Sequence, residues 1–195
     1  MKTENEVKGI FQELKTQVSI LGTLVIIAWV ITIVDQVIFR GELKDYGISP
    51  RQIVGLRGVL FAPFLHGGFG HLIGNTIPFL IFGWLIMLKR TEDFIAVSII
   101  SMLTAGLGVW LFGRPSIHIG ASGVIFGYFG YLLMRGIFEK QFLSIALSLI
   151  VAMFWGGLIF GVLPGHPGIS WEGHLFGLIG GVLSAKWLTE NKQLL

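Results

Sequence analysis

Six continuously apolar stretches divide the chain, at about residues 18–39, 71–88, 94–112, 122–134, 142–163 and 174–188. Several have the length that crosses a hydrocarbon core of about 30 Å, and none alternates with a period of two, so they predict helices rather than barrel strands. Before the first stretch, Lys2, Lys8 and Lys15 mix with Glu4, Glu6 and Glu13, while Val7, Ile10, Phe11 and Leu14 recur at helical spacing. That pattern predicts a cytoplasmic interfacial segment at residues 1–17, followed by one membrane domain at residues 18–195. The interval from Arg40 to Gly70 is different. It is rich in charge up to Arg57, then apolar from Val59 to Leu65 with Pro63 inside, and reads as a loop that partly re-enters the membrane face.

Composition agrees with this pattern. Of 195 residues, 53% are hydrophobic and 13% charged, and mean hydropathy is +0.79. Such values lie outside the soluble range and give an all-α, polytopic membrane protein: a bundle of six transmembrane helices with a partly embedded first loop. No cysteine is present, which removes disulfides, thiolate catalysis and cysteine-type metal sites. The net charge of +3 comes from basic residues scattered over helix ends, so the bilayer is the expected partner and nucleic acid is not.

With the N-terminus inside, the cytoplasmic segments hold Lys2, Lys8, Lys15, Lys89, Arg90, Arg135, Lys140, Lys186 and Lys192, nine of the fourteen basic residues. This bias places both termini in the cytoplasm. The second, fourth and sixth spans then begin at the exterior, and those ends carry His71 and Asn75, Ser122, and His174. Taking the next basic residue as the inner boundary and 1.5 Å rise per residue, Ser122, His174 and Asn75 sit at roughly 18 to 21 Å, a common level. An ionisable residue at such a depth is a functional-site hypothesis by default, and here a serine and a histidine have the make-up of a nucleophile and its base. Gly123, Gly127 and Gly130 share one face of the fourth span, and Gly177 and Gly181 follow His174 on one face of the sixth, which predicts close helix packing between the two.

Other polar residues have plainer readings. Glu172 is two residues from His174, on another side of the helix, and reads as a first-turn acid after an N-cap at Ser170. Asp35 reads as the interfacial end of the first span, and Pro78 as a tolerated kink. His118 and His166 read as loop residues. Spacing of five places His66 and His71 poorly on one helical face, so no metal is expected.

Three motifs resemble those of the rhomboid family of intramembrane serine proteases: His66-Gly-Gly-Phe-Gly-His71-Leu-Ile-Gly-Asn75, Gly120-Ala-Ser122-Gly123 and Gly173-His174-Leu-Phe-Gly177. The resemblance covers about residues 56–181. It implies a Ser122–His174 dyad working without a cofactor, an oxyanion site made by the Ser122 and Ala121 N–H groups with the side chains of Asn75 and His71, and Gly120 beside them in the oxyanion- and substrate-binding region. It also implies transmembrane proteins as substrates, reached laterally past the fifth span, with Phe154 and Trp155 as gate residues and the loop from Pro164 to Trp171 as a cap. His66 reads as a polar residue holding the first loop. Where relatives often carry Trp-Arg in the first loop and a tyrosine one turn after the serine, this chain has Leu56-Arg57-Gly58 and Phe126; at i+4 from Ser122, Phe126 can stack beneath the His174 ring. The run Ser170-Trp-Glu-Gly-His174 is similar to bacterial members, which implies a bacterial cytoplasmic membrane. The alternative is a rhomboid-like protein that binds transmembrane helices without cutting them.

Overall fold

The computed structural model describes residues 2–165 and 168–192, and among these it is helical. Helix α1 (Lys2–Val34) continues through a wider turn at Asp35–Phe39. The first loop follows, with 3-10 turns at Glu42–Tyr46, Ile53–Arg57 and Ala62–Phe64 around the single turn α2 (Gly58–Phe61). Then come α3 (Phe69–Met87), α4 (Thr91–Phe112), α5 (Ser122–Glu139), α6 (Phe142–Trp155) with a 3-10 extension at Gly156–Val162, and α7 (Trp171–Lys192). Helix α1 runs unbroken across residue 17, joining the expected interfacial segment to the first span.

Four stretches are long and apolar enough to cross a membrane: residues 6–39, 69–87, 91–112 and 142–162. The expectation of six is therefore met on apolar length at four positions, and α5 and α7 fall short. Their surroundings explain it. Helix α5 is buried continuously from Val124 to Leu132 and packs against α7, α6, α4 and α3, so its surroundings along that length are protein. A helix solvated by neighbouring helices can carry glycine, Arg135 and Glu139 without meeting hydrocarbon.

The seam between α5 and α7 is glycine against backbone. A Cβ on Gly177 would run into the Gly123 carbonyl oxygen, and one on Gly181 into that of Gly127. Outside this core, Gln17 Nε2 and Trp29 Nε1 of α1 donate to Met87 O (3.2 Å) and Thr76 Oγ1 (3.2 Å) of α3. Asp35, expected at an interface, is buried: its carboxylate accepts the Leu43 N–H at 2.9 Å and so opens the first loop. That loop is tied to the α4–α5 connection by a two-hydrogen-bond bridge between Ile48 and His118. Arg57 stacks over the Tyr46 ring at 4.3 Å and donates to Asp45 O at 3.0 Å.

Candidate active site

Gly120 turns the chain into α5 with φ of +109°, a conformation that glycine adopts without strain. Its N–H donates to Ala62 O at 2.8 Å, so this donor is already committed. Gly120 thus contributes the turn before Ser122, with its own N–H engaged by the first loop. Ser122 is the first residue of α5. The first N–H groups of a helix lack acceptors within it and its dipole is positive there, so Ala121, Ser122 and their neighbours form the donor end of α5.

Three elements converge on this end. A Cβ at Gly120 would lie 2.6 Å from His71 Nε2 and 3.4 Å from Asn75 Nδ2, so both side chains of α3 flank the turn before Ser122. Asn75 is buried with its Nδ2 unpaired among the described residues. The Gly67 N–H approaches His71 Nδ1 at 3.5 Å, which in the neutral ring leaves the proton on Nε2, the nitrogen nearest Gly120. His66 is buried and presents its ring edge-on to His71 at 5.0 Å.

On the other side, a Cβ at Gly123 would lie 3.3 Å from Gly173 O, which brings α7 against the residue next to Ser122. His174 follows Gly173 and is buried. Its ring lies flat on Phe126, with centroids 3.9 Å apart and planes 8° apart. Its Nδ1 donates to Gly161 O at 2.9 Å. A neutral imidazole that donates through Nδ1 carries its lone pair on Nε2. Ser122 Oγ has no hydrogen bond among the described residues, an arrangement common in hydrolases without substrate.

Several partnerships were missed from sequence. Gly161 lies in the 3-10 extension, whose carbonyl only a break in the fifth stretch exposes; the doublet Gly156-Gly157 was the signal. Ser170 does cap α7, accepting the Gly173 N–H at 3.3 Å, and its hydroxyl also meets His118 Nδ1 at 2.7 Å. His118, expected as a simple loop residue, is buried and reaches Arg114 O at 3.1 Å through Nε2. Glu172 is a first-turn acid and something more: Oε1 accepts from Arg114 Nε at 2.8 Å and from the Arg114 N–H at 3.1 Å. These links fasten the loop that leads into Ser122 to the start of α7. Phe154 is exposed at the end of α6, whereas Trp155 packs edge-on against Phe82 of α3 at 5.5 Å. His166 and Pro167, within the expected cap, lie outside the described residues.

The family model for the Rhomboid domain matches residues 50–191. An uncharacterised protein of Mycobacterium tuberculosis is 39% identical over 180 residues, covering 88% of this chain and 75% of the relative. YdcA of Bacillus subtilis, which carries rhomboid protease provisionally in its name, is 31% identical over 163 residues, 80% of this chain and 79% of its own. RHOMBOID-like protein 4 of Arabidopsis thaliana is 33% identical over 150 residues, 68% of this chain and 37% of the plant protein. With its apolar helices and a domain match over most of its length, the chain is an integral membrane protein of the rhomboid family.

Proposed function

We propose that the protein is an intramembrane serine endopeptidase acting through Ser122 and His174, with α5 and α7 crossing the bilayer alongside the four more apolar helices. The observation that carries this reading is the fixing of His174 on two sides. Phe126 supports its face, and the Gly161 carbonyl holds Nδ1, so Nε2 remains as the base beside the N-terminus of α5. Soluble serine hydrolases use a buried carboxylate to orient the base. Here a backbone carbonyl takes that place, giving orientation with no second charge to bury in a membrane.

His174 Nε2 takes the Ser122 hydroxyl proton as Oγ attacks a substrate carbonyl. The oxyanion is met by the N–H groups of Ala121 and Ser122 and by the side chains of Asn75 and His71, where one such donor is worth about 2.7–4 kcal/mol. The same proton passes to the leaving amine, and water, deprotonated by His174, then releases the acyl group from Ser122. Substrates are transmembrane segments of other proteins, which reach the site from lipid between α3 and the outer half of α6. A helical peptide bond is shielded, so locally unstable helix is the preferred target. Basic residues bias both termini to the cytoplasmic side, and the bacterial relatives favour a bacterial cytoplasmic membrane.

The test uses purified protein in liposomes, a model transmembrane substrate with a helix-breaking residue near one end, and mass spectrometry of the products. Cleavage is expected to fall more than roughly a thousandfold in Ser122→Ala and in His174→Ala. Ser122 is expected to be labelled by a fluorophosphonate in the parent protein alone. A folded parent that leaves every substrate intact, while still retaining it, would instead make the protein a binder of transmembrane helices.

A further inference from the structure

A cavity of about 150 Å³ is bordered by Ala121 and Asn75 but not by His174. Its walls come from α1, α3, α4 and α5 and from the 3-10 turn Ala62–Phe64. Leu72, Phe79, Val124 and Tyr128 form its inner body. From Ala121 to Tyr128 it follows α5 inward by roughly 10 Å, at 1.5 Å per residue. An apolar cavity of this size stays dry and accepts apolar guests such as benzene. Ile99, half exposed on α4, and Val25 and Ala28, partly exposed on α1, stand at its rim, so it opens where the helices meet lipid.

The upper end differs in chemistry. His66 is only 3% exposed, and its ring nitrogens make no well-aligned hydrogen bond among the described residues, although the Phe64 backbone interacts with the ring; Asn75 is 8% exposed with Nδ2 unpaired. Both line the cavity. Buried polar atoms without partners cost about 1–3 kcal/mol each, so a guest with an oxygen at this level relieves a penalty that a pure hydrocarbon leaves in place. Lower down, the Tyr128 and Ser98 hydroxyls are already paired with each other at 2.7 Å and make no such demand. Polar above and apolar below is the polarity of an outer-leaflet lipid chain.

We propose that this cavity is a binding site for a fatty acyl chain of the surrounding membrane, with the acyl oxygen at His66 and the chain running inward along Leu72, Val124 and Tyr128. The site shares Ala121 and Asn75 with the proposed oxyanion region, but α6, which borders the proposed substrate path, contributes nothing to its walls, so its occupant is a lipid and not a substrate.

The experiment reads labelling rather than proteolysis, so it stands or falls independently of the assigned activity. Parent protein in phosphatidylcholine liposomes is irradiated with a long-chain fatty acid bearing a diazirine at mid-chain, and adducts are mapped by mass spectrometry. Adducts are expected at Leu72, Val124 or Tyr128, which are 1%, 7% and 1% exposed and out of reach of bulk lipid. Ala28→Phe, which plugs the rim, is expected to reduce them at least tenfold while sparing adducts at lipid-facing Val30 and Leu107. His66→Phe is expected to reduce them at least threefold. Adducts confined to exposed faces, or interior adducts indifferent to Ala28→Phe, would overturn the site; indifference to His66→Phe would overturn the placement of the oxygen.

Discussion

Two helices flank the end of α5 that carries the proposed nucleophile, and they are held in opposite ways. Helix α7 meets α5 backbone to backbone, with Gly177 and Gly181 against the carbonyls of Gly123 and Gly127. Among the described residues, the hydrogen bonds that pin α6 to the α5 helix lie toward its inner end. Ser148 Oγ donates to Leu132 O at 2.6 Å and accepts the Gly136 N–H at 3.0 Å, and Ser144 donates to Glu139. Of the apolar window in residues 142–162, just 6% is buried, against 39% in α4. The difference teaches where motion would least disturb the proposed chemistry: the α5–α7 seam beside Ser122 and His174 is closely packed, while the outer half of α6 is little buried. One cost follows from this division, because the carbonyl that orients His174 sits on the 3-10 extension of α6. Displacing that extension fully would release the base, so admission of substrate is confined to movements that keep Gly161 in place.

The largest effect separates the two sides by glycine substitution. Gly177→Val or Gly181→Val forces a side chain into the α5 backbone, and overpacking of this kind costs about 3 kcal/mol or more where the neighbour is main chain. Gly156→Ala and Gly157→Ala, with open space around each, are expected to stay within about 0.5 kcal/mol. Thermal unfolding in detergent measures both. Equal losses on the two sides would erase the contrast between a rigid seam and a loose helix.

Next comes the inner anchor of α6. Burial pushes the Glu139 carboxyl up, but the Lys89 ammonium (2.8 Å), the Ser144 hydroxyl and the Arg135 guanidinium (3.1 Å) outweigh it and hold the group below its ordinary value. A carboxyl with a lowered folded-state pKa binds its proton more readily in the unfolded chain. Its contribution is therefore complete above the ordinary value of 4.5 and is lost as pH falls through the lower, folded-state value. Stability measured from pH 7 to 3 is expected to fall with that slope, and Glu139→Gln to remove this part of it and cost about 1–2 kcal/mol at pH 7. A slope unchanged by Glu139→Gln would assign the anchor to other groups.

The ring under His174 gives a smaller effect. A stacked aromatic contact contributes about 0.5–1.5 kcal/mol, so Phe126→Leu is expected to lower kcat about three- to tenfold with KM nearly unchanged. Phe126→Tyr keeps the ring and is expected to keep the rate. A Phe126→Leu enzyme at full rate would leave the Gly161 hydrogen bond as the sole device that orients the base.

The α5–α7 side was legible in sequence and the α6 side much less so, for a physical reason. Glycines at i, i+4 and i+7, and distances from Ser122, His174 and Asn75 to the next basic residue, are properties of straight helices, so one-dimensional spacing carries over into depth and facing. Partnerships such as Arg114 with Glu172, 58 positions away, join loops to helix starts, and no periodicity encodes them. The fifth-stretch break after Trp155 depends on Gly156-Gly157 in an otherwise uniform apolar run, where hydrophobicity alone predicts one continuous helix. Gly120 shows the same limit: its motif was visible, but the engagement of its N–H by Ala62 comes from the first loop folding back.

The smallest effect is at the little-buried end itself. Trp155 touches Phe82 across the gap between α6 and α3, whereas its neighbour Phe154 is 68% exposed. If the edge-on contact is what keeps the gap shut, its loss is worth about 0.5–1.5 kcal/mol of closure, and Trp155→Ala should raise the cleavage rate about threefold while Phe154→Ala changes little. Phe82→Ala removes the same contact from the other helix, so the double variant should be no faster than either single one. Rate gains that multiply in the double variant, or a gain from Phe154→Ala equal to that from Trp155→Ala, would mean that α6 opens by loosening as a whole rather than by breaking one contact, and the distinction between its pinned and free halves would fail.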